Sequence, residues 1–483
     1  MTQTLLDCSP QVLWKHFYSL TRIPRPSHHE SEVQAFMQAF GENLELETLV
    51  DESGNIIIRK PATPGMEGRP GVILQGHLDM VPQANSGSRH DFTKDPIELR
   101  FDGDWLTAAE TTLGADNGIG IAAAMAVLES KEIAHGPVEG LFTSNEEDGM
   151  VGARSLGPGL LQGELLINMD SEDEGELFIG CAGGINAGSR FTGVGEAVAG
   201  DVRAFKLSLT GLKGGHSGVD IHRGRGNANK LLFRLLRQGM LNHGLRLCSI
   251  DGGSLRNAIP REAFAWITLP VGEVDGFVHH LDVQRQTIRS ELAHADAGAE
   301  VTLEEVDTPT NWLGQPLEAR LVNAVCAAPH GVVRMSDDMH GLVETSTNLA
   351  IVRSQEETVE VQSLIRSSVD SARDDLCANM DALFSLARAE THFGGAYPGW
   401  KPNMESPLLS VMRQAYRELF GSEAKIGAIH AGLECGILGG NYPRLDMISF
   451  GPTIRYPHSP DERVDIPSVK KFWDLLTLVL GKL

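Results

Sequence analysis

Residues 71–80 read GVILQGHLDM, a short apolar run that ends in a histidine and an aspartate. The run at 71–75 has the length and continuous apolar character of a buried strand. Residues 55–59, 138–143 and 165–169 have the same character, and residues 119–128 between them form a small-residue helix pattern. Strands that alternate with helices predict an α/β domain with a mostly parallel central sheet.

Polar side chains follow several of these predicted strands. His77 and Asp79 come after GVILQG, Glu146 and Glu147 come after VEGLFTSN, and Asp170 closes LLINM. In open α/β sheets, binding sites lie at the carboxyl ends of the strands. The sequence therefore predicts that these side chains share one pocket.

Composition restricts the partners that this chain can have. Its 483 residues include 64 Asp plus Glu and 41 Lys plus Arg, a net charge of -23, so we expect no nucleic-acid partner. No apolar stretch approaches the ~18 residues that a membrane span needs, and the start shows no secretory signal. Six scattered cysteines without a C-x-x-C pair indicate structural thiols. These features predict a cytoplasmic protein with no membrane association.

The residue pattern of the chain is different between residues 185 and 390. We predict a discontinuous first domain at 1–184 and 391–483, with a second domain inserted at 185–390. Inside the insert, GGSLRNAIPREAFAWITLP from Gly252 resembles ETSTNLAIVRSQEETVEVQSLIRSS from Glu344. Each has an Asn, an apolar triplet, a charged turn and a second apolar stretch, which indicates a duplicated β-hairpin.

Two segments carry side chains of the type that zinc prefers, histidine nitrogen and carboxylate oxygen. His77 and Asp79 lie on the same side of an extended segment, so the aspartate can orient a metal-binding imidazole. The segment LGADNGIG at 113–120 places Asp116 among glycines just before a helix. That setting suits a bridging carboxylate with a fixed direction, and it equally suits a helix cap in a glycine-rich turn.

Three further segments add to this set. Adjacent Glu146 and Glu147 can take different tasks, one binding metal and the other moving protons, although an exposed acidic turn has the same sequence. Asp170 stands at a strand end, and YPHSP holds His458 in a loop stiffened by two prolines. Each segment alone also fits an ordinary turn, so the prediction rests on their combination.

Five motifs, GHLDMVP, LGADNGIGIA, TSNEEDGMVGA, LLINMD and YPHSP, occur here in the order and approximate spacing of the M20 metallopeptidases. The chain resembles this family over essentially its whole length. The resemblance implies a zinc-peptidase-like catalytic domain with an inserted α+β lid domain. It also implies two divalent metal ions, with zinc favoured and cobalt or manganese as alternatives. One metal would be held by His77, Asp116 and Asp170, the other by Asp116, Glu147 and His458, and Asp116 would bridge them.

The resemblance also implies catalytic roles. Glu146 would be the general base that activates a metal-bridging water, and Asp79 would be the partner of His77. In the insert, His216 would stabilise the oxyanion from the lid. No ligand position is replaced in this chain, which argues against an inactive homologue.

Three residues resemble positions at which the family contacts substrate. Asn257 and Arg366 are similar to lid residues that meet the substrate and its carboxylate, and Gly432 is similar to a backbone contact near the site. Asn348, which matches Asn257 in the repeat, is an alternative to it.

The resemblance implies a dipeptidase acting on a small peptide substrate, namely unblocked dipeptides that include Xaa-His pairs such as β-alanyl-histidine. A deacylase of N-acyl amino acids or a carboxypeptidase of the same family is the alternative, because the metal chemistry is the same. A non-enzymatic binding protein is a third interpretation, which replacement of the metal-ligand residues or of the general base would support. Some family members complete the site with a partner's lid, so monomer and homodimer both stay open.

Overall fold

The computed structural model describes residues 5–355 and 358–483. Contacts between Cα atoms divide the chain into two compact units. The first comprises Met1–Cys181, Trp400–Ala428 and Leu433–Leu483, and the second comprises Ala182–Gly399 and Ile429–Gly432. The predicted return to the first domain at residue 391 falls inside a strand, Glu390–Tyr397, that pairs within the second unit.

The strands are numbered in chain order: β1 Glu47–Val50, β2 Ile56–Lys60, β3 Val72–His77, β4 Leu99–Asp102, β5 Trp105–Ala108, β6 Val138–Thr143, β7 Leu165–Asn168, β8 Glu176–Cys181, β9 Gly183–Thr192, β10 Glu196–Ala197, β11 Val202–Thr210, β12 Gly215–His216, β13 Arg246–Gly252, β14 Ala258–Ile259, β15 Ala263–Pro270, β16 Glu300–Glu305, β17 Asn311–Trp312, β18 Gly331–Met335, β19 Val343–Gln355, β20 Thr358–Ser367, β21 Glu390–Tyr397, β22 Lys425–Ile429, β23 Asp446–Ser449, β24 Ile454–Arg455 and β25 Arg463–Asp465.

The α-helices follow the same rule: α1 Gln11–Thr21, α2 Ser31–Asn43, α3 Ala115–Glu129, α4 Val151–Ser155, α5 Ala228–His243, α6 Val274–Glu291, α7 Gln315–Ala327, α8 Asp370–Leu386, α9 Pro407–Phe420, α10 Glu434–Asn441 and α11 Ile466–Lys482. Two short 3₁₀ turns lie at Leu5–Asp7 and Val271–Glu273. Among the described residues, none of these helices is both long and apolar enough to cross a bilayer.

The first unit is built on an eight-stranded sheet with the order β1-β2-β6-β3-β7-β23-β8-β22. The four central strands β6, β3, β7 and β23 run parallel, while β2 and β8 flank them in the antiparallel sense. Every residue of β3 and β6 is buried, as expected for strands covered on both faces. The prediction of a mostly parallel central sheet is confirmed.

Helix α3 packs closely because its sequence is rich in alanine and glycine. An added Cβ at Gly118 would lie 2.9 Å from the Phe17 ring in α1, so the two helices can approach only where a side chain is missing. Residues 117–128 of α3 are all buried. The helix therefore fixes its own first turn, which carries Asp116.

The second unit is α+β. Its large sheet is antiparallel and has the order β16-β11-β15-β13-β19-β20-β9-β21, with β18 pairing β19. Apolar residues of α5, α6, α7 and α8 pack on this sheet in one core, centred on residues such as Phe233, Phe277 and Phe384. The unit thus has its own hydrophobic core.

Strand pairing distinguishes two regions of the chain. The stretch 84–112 contains the β4–β5 hairpin, and β5 pairs with β25 in the antiparallel sense. The Arg463 guanidinium carbon lies 4.5 Å from the centroid of the Trp105 ring in that hairpin, a long-range cation–π contact that local sequence patterns do not predict. The two repeat-like segments also differ in pairing, because β14 pairs with β12 whereas β19 pairs with β20. The duplication stays a prediction.

Candidate metal centre

The predicted polar residues of the first unit meet at one edge of its sheet. His77 is the last residue of β3, Glu146 and Glu147 follow β6, and Asp170 follows β7 by two residues. Because these strands are parallel neighbours, their carboxyl ends lie side by side. Asp116 joins them from the start of α3, where its backbone angles are not helical.

The first cluster of ligand atoms surrounds His77. Its Nε2 lies 3.0 Å from Asp116 Oδ1 and 3.2 Å from Asp170 Oδ1. Its Nδ1 lies 3.1 Å from the backbone carbonyl oxygen of Asp79, and a bond donated to that oxygen leaves the Nε2 lone pair for a metal. The Asp79 carboxylate is also close, with Oδ1 3.4 Å from the same Nδ1.

The second cluster uses the other oxygen of Asp116. His458 Nε2 lies 3.3 Å from Asp116 Oδ2 and 3.0 Å from Glu147 Oε2. The two clusters therefore share one carboxylate, with one oxygen directed to each. A bridging carboxylate of this kind is what two closely spaced metal ions need.

The residues present fit two divalent cations. His77, Asp116 and Asp170 place ligand atoms within 4.8 Å of one another, and so do Asp116, Glu147 and His458. Within the described residues, the buried Glu147 Oε1 accepts no hydrogen bond. Buried carboxylate oxygens without a donor are costly unless a cation compensates them. The nitrogen and oxygen donors suit zinc, and they do not distinguish it from cobalt or manganese.

Electrostatics support the same conclusion. Burial opposes charge on His77, yet the nearby carboxylates, first Asp170 and then Asp116, raise its pKa well above the usual value. Hydrogen bonds to Asp116 and Glu147 raise the pKa of His458 to about 11. Burial raises the pKa of Asp170 to about 7, with Asp116 and Glu147 adding to the effect against His77. The carboxylates of this site therefore carry more negative charge than its own positively charged side chains balance.

Glu146 lies beside these clusters and forms a third ligand group with His77 and Glu147. Burial raises its pKa well above the ordinary range, opposed by the charge of His77 and reinforced by the charge of Asp170. A carboxylate whose basicity is raised in this way is suited to accept a proton. Its backbone N–H donates to Asp79 Oδ1 at 2.9 Å, so Asp79 links the Glu146 segment to His77.

Asp79 is completely buried, and both of its carboxylate oxygens have polar partners. Its Oδ2 accepts bonds from Ser27 Oγ at 2.7 Å and from the Glu147 N–H at 3.2 Å. Although burial opposes its ionisation, the hydrogen bond and charge of His77 lower the pKa of Asp79 to about 2. Its two oxygens thus hold an imidazole and the Glu146–Glu147 backbone together.

Two buried charged residues that the sequence did not single out support the Asp116 segment. Glu462 accepts hydrogen bonds from the backbone N–H groups of Leu113, Gly114, Ala115 and Asp116 at 2.7, 3.0, 2.8 and 3.2 Å. Arg25 donates from Nη2 to the Gly114 carbonyl at 2.5 Å and from Nη1 to the carbonyls of Leu78 and Asp79 at 2.9 and 3.0 Å. The only sequence signal for Glu462 is its position four residues after His458.

The second unit carries the other predicted site residues. His216 lies in β12, and its Nδ1 accepts from the N–H groups of Gly218 and Val219 at 3.2 and 3.1 Å, so the neutral ring carries its proton on Nε2. Burial, reinforced by the charge of Arg366, lowers the pKa of His216 to about 4. Arg366 is buried, with Nη2 3.5 Å from His216 Nε2, and donates from Nη1 to the Tyr397 hydroxyl at 2.8 Å.

The two asparagines of the repeat have different surroundings. Asn348 is buried and donates from Nδ2 to the carbonyls of Arg256 and Ala258 at 3.0 and 2.7 Å, so it fixes the turn that carries Asn257. The Asn257 side chain is exposed, while its backbone carbonyl accepts a hydrogen bond from the Ser217 N–H at 2.8 Å. These contacts favour Asn257 over Asn348 as a residue available to a ligand. Gly432 is partly exposed in the short segment 429–432 of this unit.

Comparison with known proteins agrees with these findings. The pattern of peptidase family M20/M25/M40 matches residues 73–482. The chain is 47% identical over 479 residues to the cytosol non-specific dipeptidase of Escherichia coli (strain K12), covering 99% of both. It superposes on aminoacylhistidine dipeptidase from Vibrio alginolyticus with a TM-score of 0.94 and 45% identity, covering 100% of this chain and 98% of that one.

A more distant structure shares the fold alone. Aminopeptidase PepT from Bacillus cereus ATCC 10987 has a TM-score of 0.59 at 15% identity, covering 98% of this chain and 99% of that one. The family match spans most of the chain and includes every predicted ligand segment. The chain therefore belongs to peptidase family M20 and is a hydrolase acting on peptide bonds.

Proposed function

We propose that this chain is a dinuclear metal dipeptidase that cleaves unblocked dipeptides, including Xaa-His pairs such as β-alanyl-histidine. The observation that carries the proposal is the pair of ligand clusters that share Asp116 beside the buried Glu146. Two relatives that cover nearly the whole chain, the cytosol non-specific dipeptidase and the aminoacylhistidine dipeptidase, support the choice of substrate.

In this proposal the metal ligands are His77, Asp116 and Asp170 for one ion and Asp116, Glu147 and His458 for the other. When bound, two divalent ions supply Lewis-acid polarisation of the scissile carbonyl and lower the pKa of water toward ~7. Glu462, Arg25 and Asp79 hydrogen-bond to the backbone around these ligands and so help to hold it in position. Preorganisation of this kind reduces the cost of assembling the site.

Glu146 is the proposed general base. Its buried carboxylate would accept a proton from the attacking water and then donate it to the leaving amine. Asp79 would keep the His77 ring oriented through Nδ1, from its position at 3.4 Å. From the second unit, His216 would offer its Nε2–H to the oxyanion, Arg366 would bind the substrate carboxylate, and Asn257 and the Gly432 backbone would contact substrate.

An N-acyl amino acid deacylase or carboxypeptidase remains the second candidate, because the same metal cluster and base would serve it. We further propose a cytoplasmic location, in keeping with the name of the Escherichia coli relative. The lid role of residues 185–390 and a homodimer stay predictions, and sedimentation of the metal-loaded protein tests the second.

Hydrolysis of a small substrate panel tests the proposal. The panel contains alanyl-histidine, β-alanyl-histidine, an N-acetyl amino acid and a tripeptide, each with metal-loaded protein and with chelator. We expect chelator-sensitive cleavage of the two free dipeptides, restored by zinc, cobalt or manganese. Cleavage of the acetylated compound alone would select the deacylase, and inactivity on every compound after metal is restored would refute both.

A further inference from the structure

Asp220 and Arg225 form an ion pair next to β12, the short strand that carries His216. Arg225 Nη2 lies 3.1 Å from Asp220 Oδ1, and only 19% and 16% of the two side chains are exposed. Arg225 Nη1 also donates a hydrogen bond to the Gly214 carbonyl at 2.6 Å. The guanidinium therefore joins a residue two positions before His216 to a residue four positions after it.

Asp220 binds the backbone of His216 on both sides of its Cα atom. Its Oδ2 accepts a hydrogen bond from the His216 N–H at 2.9 Å, and its own N–H donates to the His216 carbonyl at 3.2 Å. The space for this arrangement depends on Gly215, because a Cβ there would overlap the Arg225 guanidinium and lie 2.7 Å from Asp220 Oδ2. Two residues on either side of the turn thus hold one histidine in place.

The turn that Asp220 closes also fixes the His216 ring. The N–H groups of Gly218 and Val219 donate to His216 Nδ1 at 3.2 and 3.1 Å. The ring accepts from the backbone of the turn, and the Asp220 side chain at the end of the turn accepts from the backbone of His216. Reciprocal bonding of this kind, as in a capping box, stabilises both partners.

The position of the ring proton matters because the ring is neutral. Burial lowers the pKa of His216 to about 4, and Arg366 adds to that effect, while Asp220 opposes it. A neutral imidazole has one N–H to donate, on either Nδ1 or Nε2. Only a proton on Nε2 leaves Nδ1 free to accept from the turn, so loosening of the turn would let the proton move to the wrong nitrogen.

We propose that Asp220, held by Arg225, is a positioning residue that keeps the His216 proton on Nε2 and thereby keeps this side chain ready to stabilise the oxyanion. The inference rests on the proposed function, in which His216 offers its Nε2–H to that oxyanion, and it names the residues on which that role depends. Donors that are already oriented stabilise a transition state without reorganisation during the reaction. Asp220 itself needs no contact with the substrate.

A double-mutant cycle with His216 tests the proposal. Hydrolysis of alanyl-histidine is measured for the metal-loaded native protein, Asp220→Ala, His216→Ala and the double variant. We expect Asp220→Ala to lower kcat ~10- to 100-fold, up to the lower end of the effect of removing one oxyanion donor, with KM within about threefold of native. In the His216→Ala protein the same change should lower kcat less than about threefold, because no ring remains to be positioned.

Two neighbouring arginines provide a matched pair of variants. Arg223 Nε also lies 3.1 Å from Asp220 Oδ1, but 57% of its side chain is exposed, and among the described residues only Arg225 joins Asp220 to Gly214. Arg225→Met should lower kcat about tenfold, whereas Arg223→Met should leave it within about twofold of native. Both variants remove one cation beside Asp220, so the comparison separates the bridge to Gly214 from the local charge.

Nitrogen-15 NMR of histidine-labelled, zinc-loaded protein reports the ring directly. The His216 signals are identified by their loss in His216→Ala. We expect the native ring to be protonated on Nε2 alone, and the ring of Asp220→Ala to show both tautomers, because the turn no longer directs two N–H groups at Nδ1.

The results that would overturn the inference are specific. An equal fall in kcat in both backgrounds would show that Asp220 acts without His216, and a ring that stays protonated on Nε2 alone in Asp220→Ala would show that Asp220 does not fix it. If Asp220→Ala does not fold, equal kcat values for Arg225→Met and Arg223→Met would refute the proposal. Native turnover by His216→Ala would instead count against the oxyanion role in the proposed function, and the NMR signals would still decide whether Asp220 positions the ring.

Discussion

Substitution of Glu462 by glutamine tests how the bridging carboxylate is aimed. In the native chain, Oε2 accepts from the N–H groups of Leu113 and Gly114, and Oε1 accepts from those of Ala115 and Asp116. The amide of Glu462→Gln has only one acceptor oxygen, so two buried N–H groups would face an NH₂ group. At about 1–3 kcal/mol for each unsatisfied buried donor, the expected loss is about 2–6 kcal/mol.

Part of this expected loss is offset, because the substitution also removes a cost that the native carboxylate carries. Burial raises the pKa of Glu462 to about 7, opposed by the N–H donors and reinforced by Asp116, so ionising Glu462 itself has a cost that the glutamine avoids. We therefore expect a net destabilisation of about 2–3 kcal/mol, near the lower end of that range. In a domain of this size, the thermal midpoint of the metal-free protein should fall by about 2–4 °C per kcal/mol.

Metal binding should weaken as well, because one of the four N–H groups belongs to Asp116 itself. We expect affinity for zinc, measured by competition with a chromophoric chelator, to fall about tenfold, which corresponds to about 1.4 kcal/mol. Asp461→Asn is the matched control, since it removes a neighbouring exposed carboxylate and should change neither quantity. A Glu462→Gln protein with the native midpoint and native zinc affinity would refute this reasoning.

Three other changes have expected outcomes. Glu146→Gln should lower kcat by ~10²–10⁴-fold and leave the metal content, measured by elemental analysis, unchanged; normal turnover would exclude Glu146 as the base. Gly218→Ala should lower the thermal midpoint by the equivalent of about 1–3 kcal/mol, because its Cβ would lie 1.9 Å from the His430 carbonyl oxygen; an unchanged midpoint would show that the loop relaxes freely. Burial, with a smaller effect of Lys230, lowers the pKa of His330 to about 4, below the unfolded value near 6.5. Its neutral form therefore stabilises the fold fully above pH 6.5, and about 3 kcal/mol is lost as pH falls toward 4. Chemical denaturation of His330→Asn should show a smaller loss over that interval, and an identical pH profile would contradict the assignment.

Much of the first unit could be predicted from its sequence. Short apolar runs such as VILQGH indicate strands that are buried on both faces. The sequence shows these strands directly, because they need apolar residues at nearly every position. The same runs locate His77, Glu147 and Asp170 at strand ends, where a parallel sheet brings them together. The family motifs then indicate which of these residues act together, and the family assignment is confirmed.

The sequence alone could not identify the residues that hold the site in position. Glu462 bonds to residues up to 349 positions away, and Glu434 meets Gln75 across 359 positions. Before folding, such carboxylates look like any surface acid, because burial and hydrogen-bond partners are properties of the packed chain. For the same reason the sequence left Asn348 open as an alternative to Asn257, and only packing shows that Asn348 fixes the turn while Asn257 is exposed.

The sequence by itself determined the strand pattern, the ligand motifs and the family, because these depend on residue types at short and regular spacings. Tertiary structure alone decided that one oxygen of Asp116 faces each cluster and that Glu462 and Arg25 hold its segment. These features depend on directions and distances between atoms far apart in the chain, and those exist only once the chain has folded.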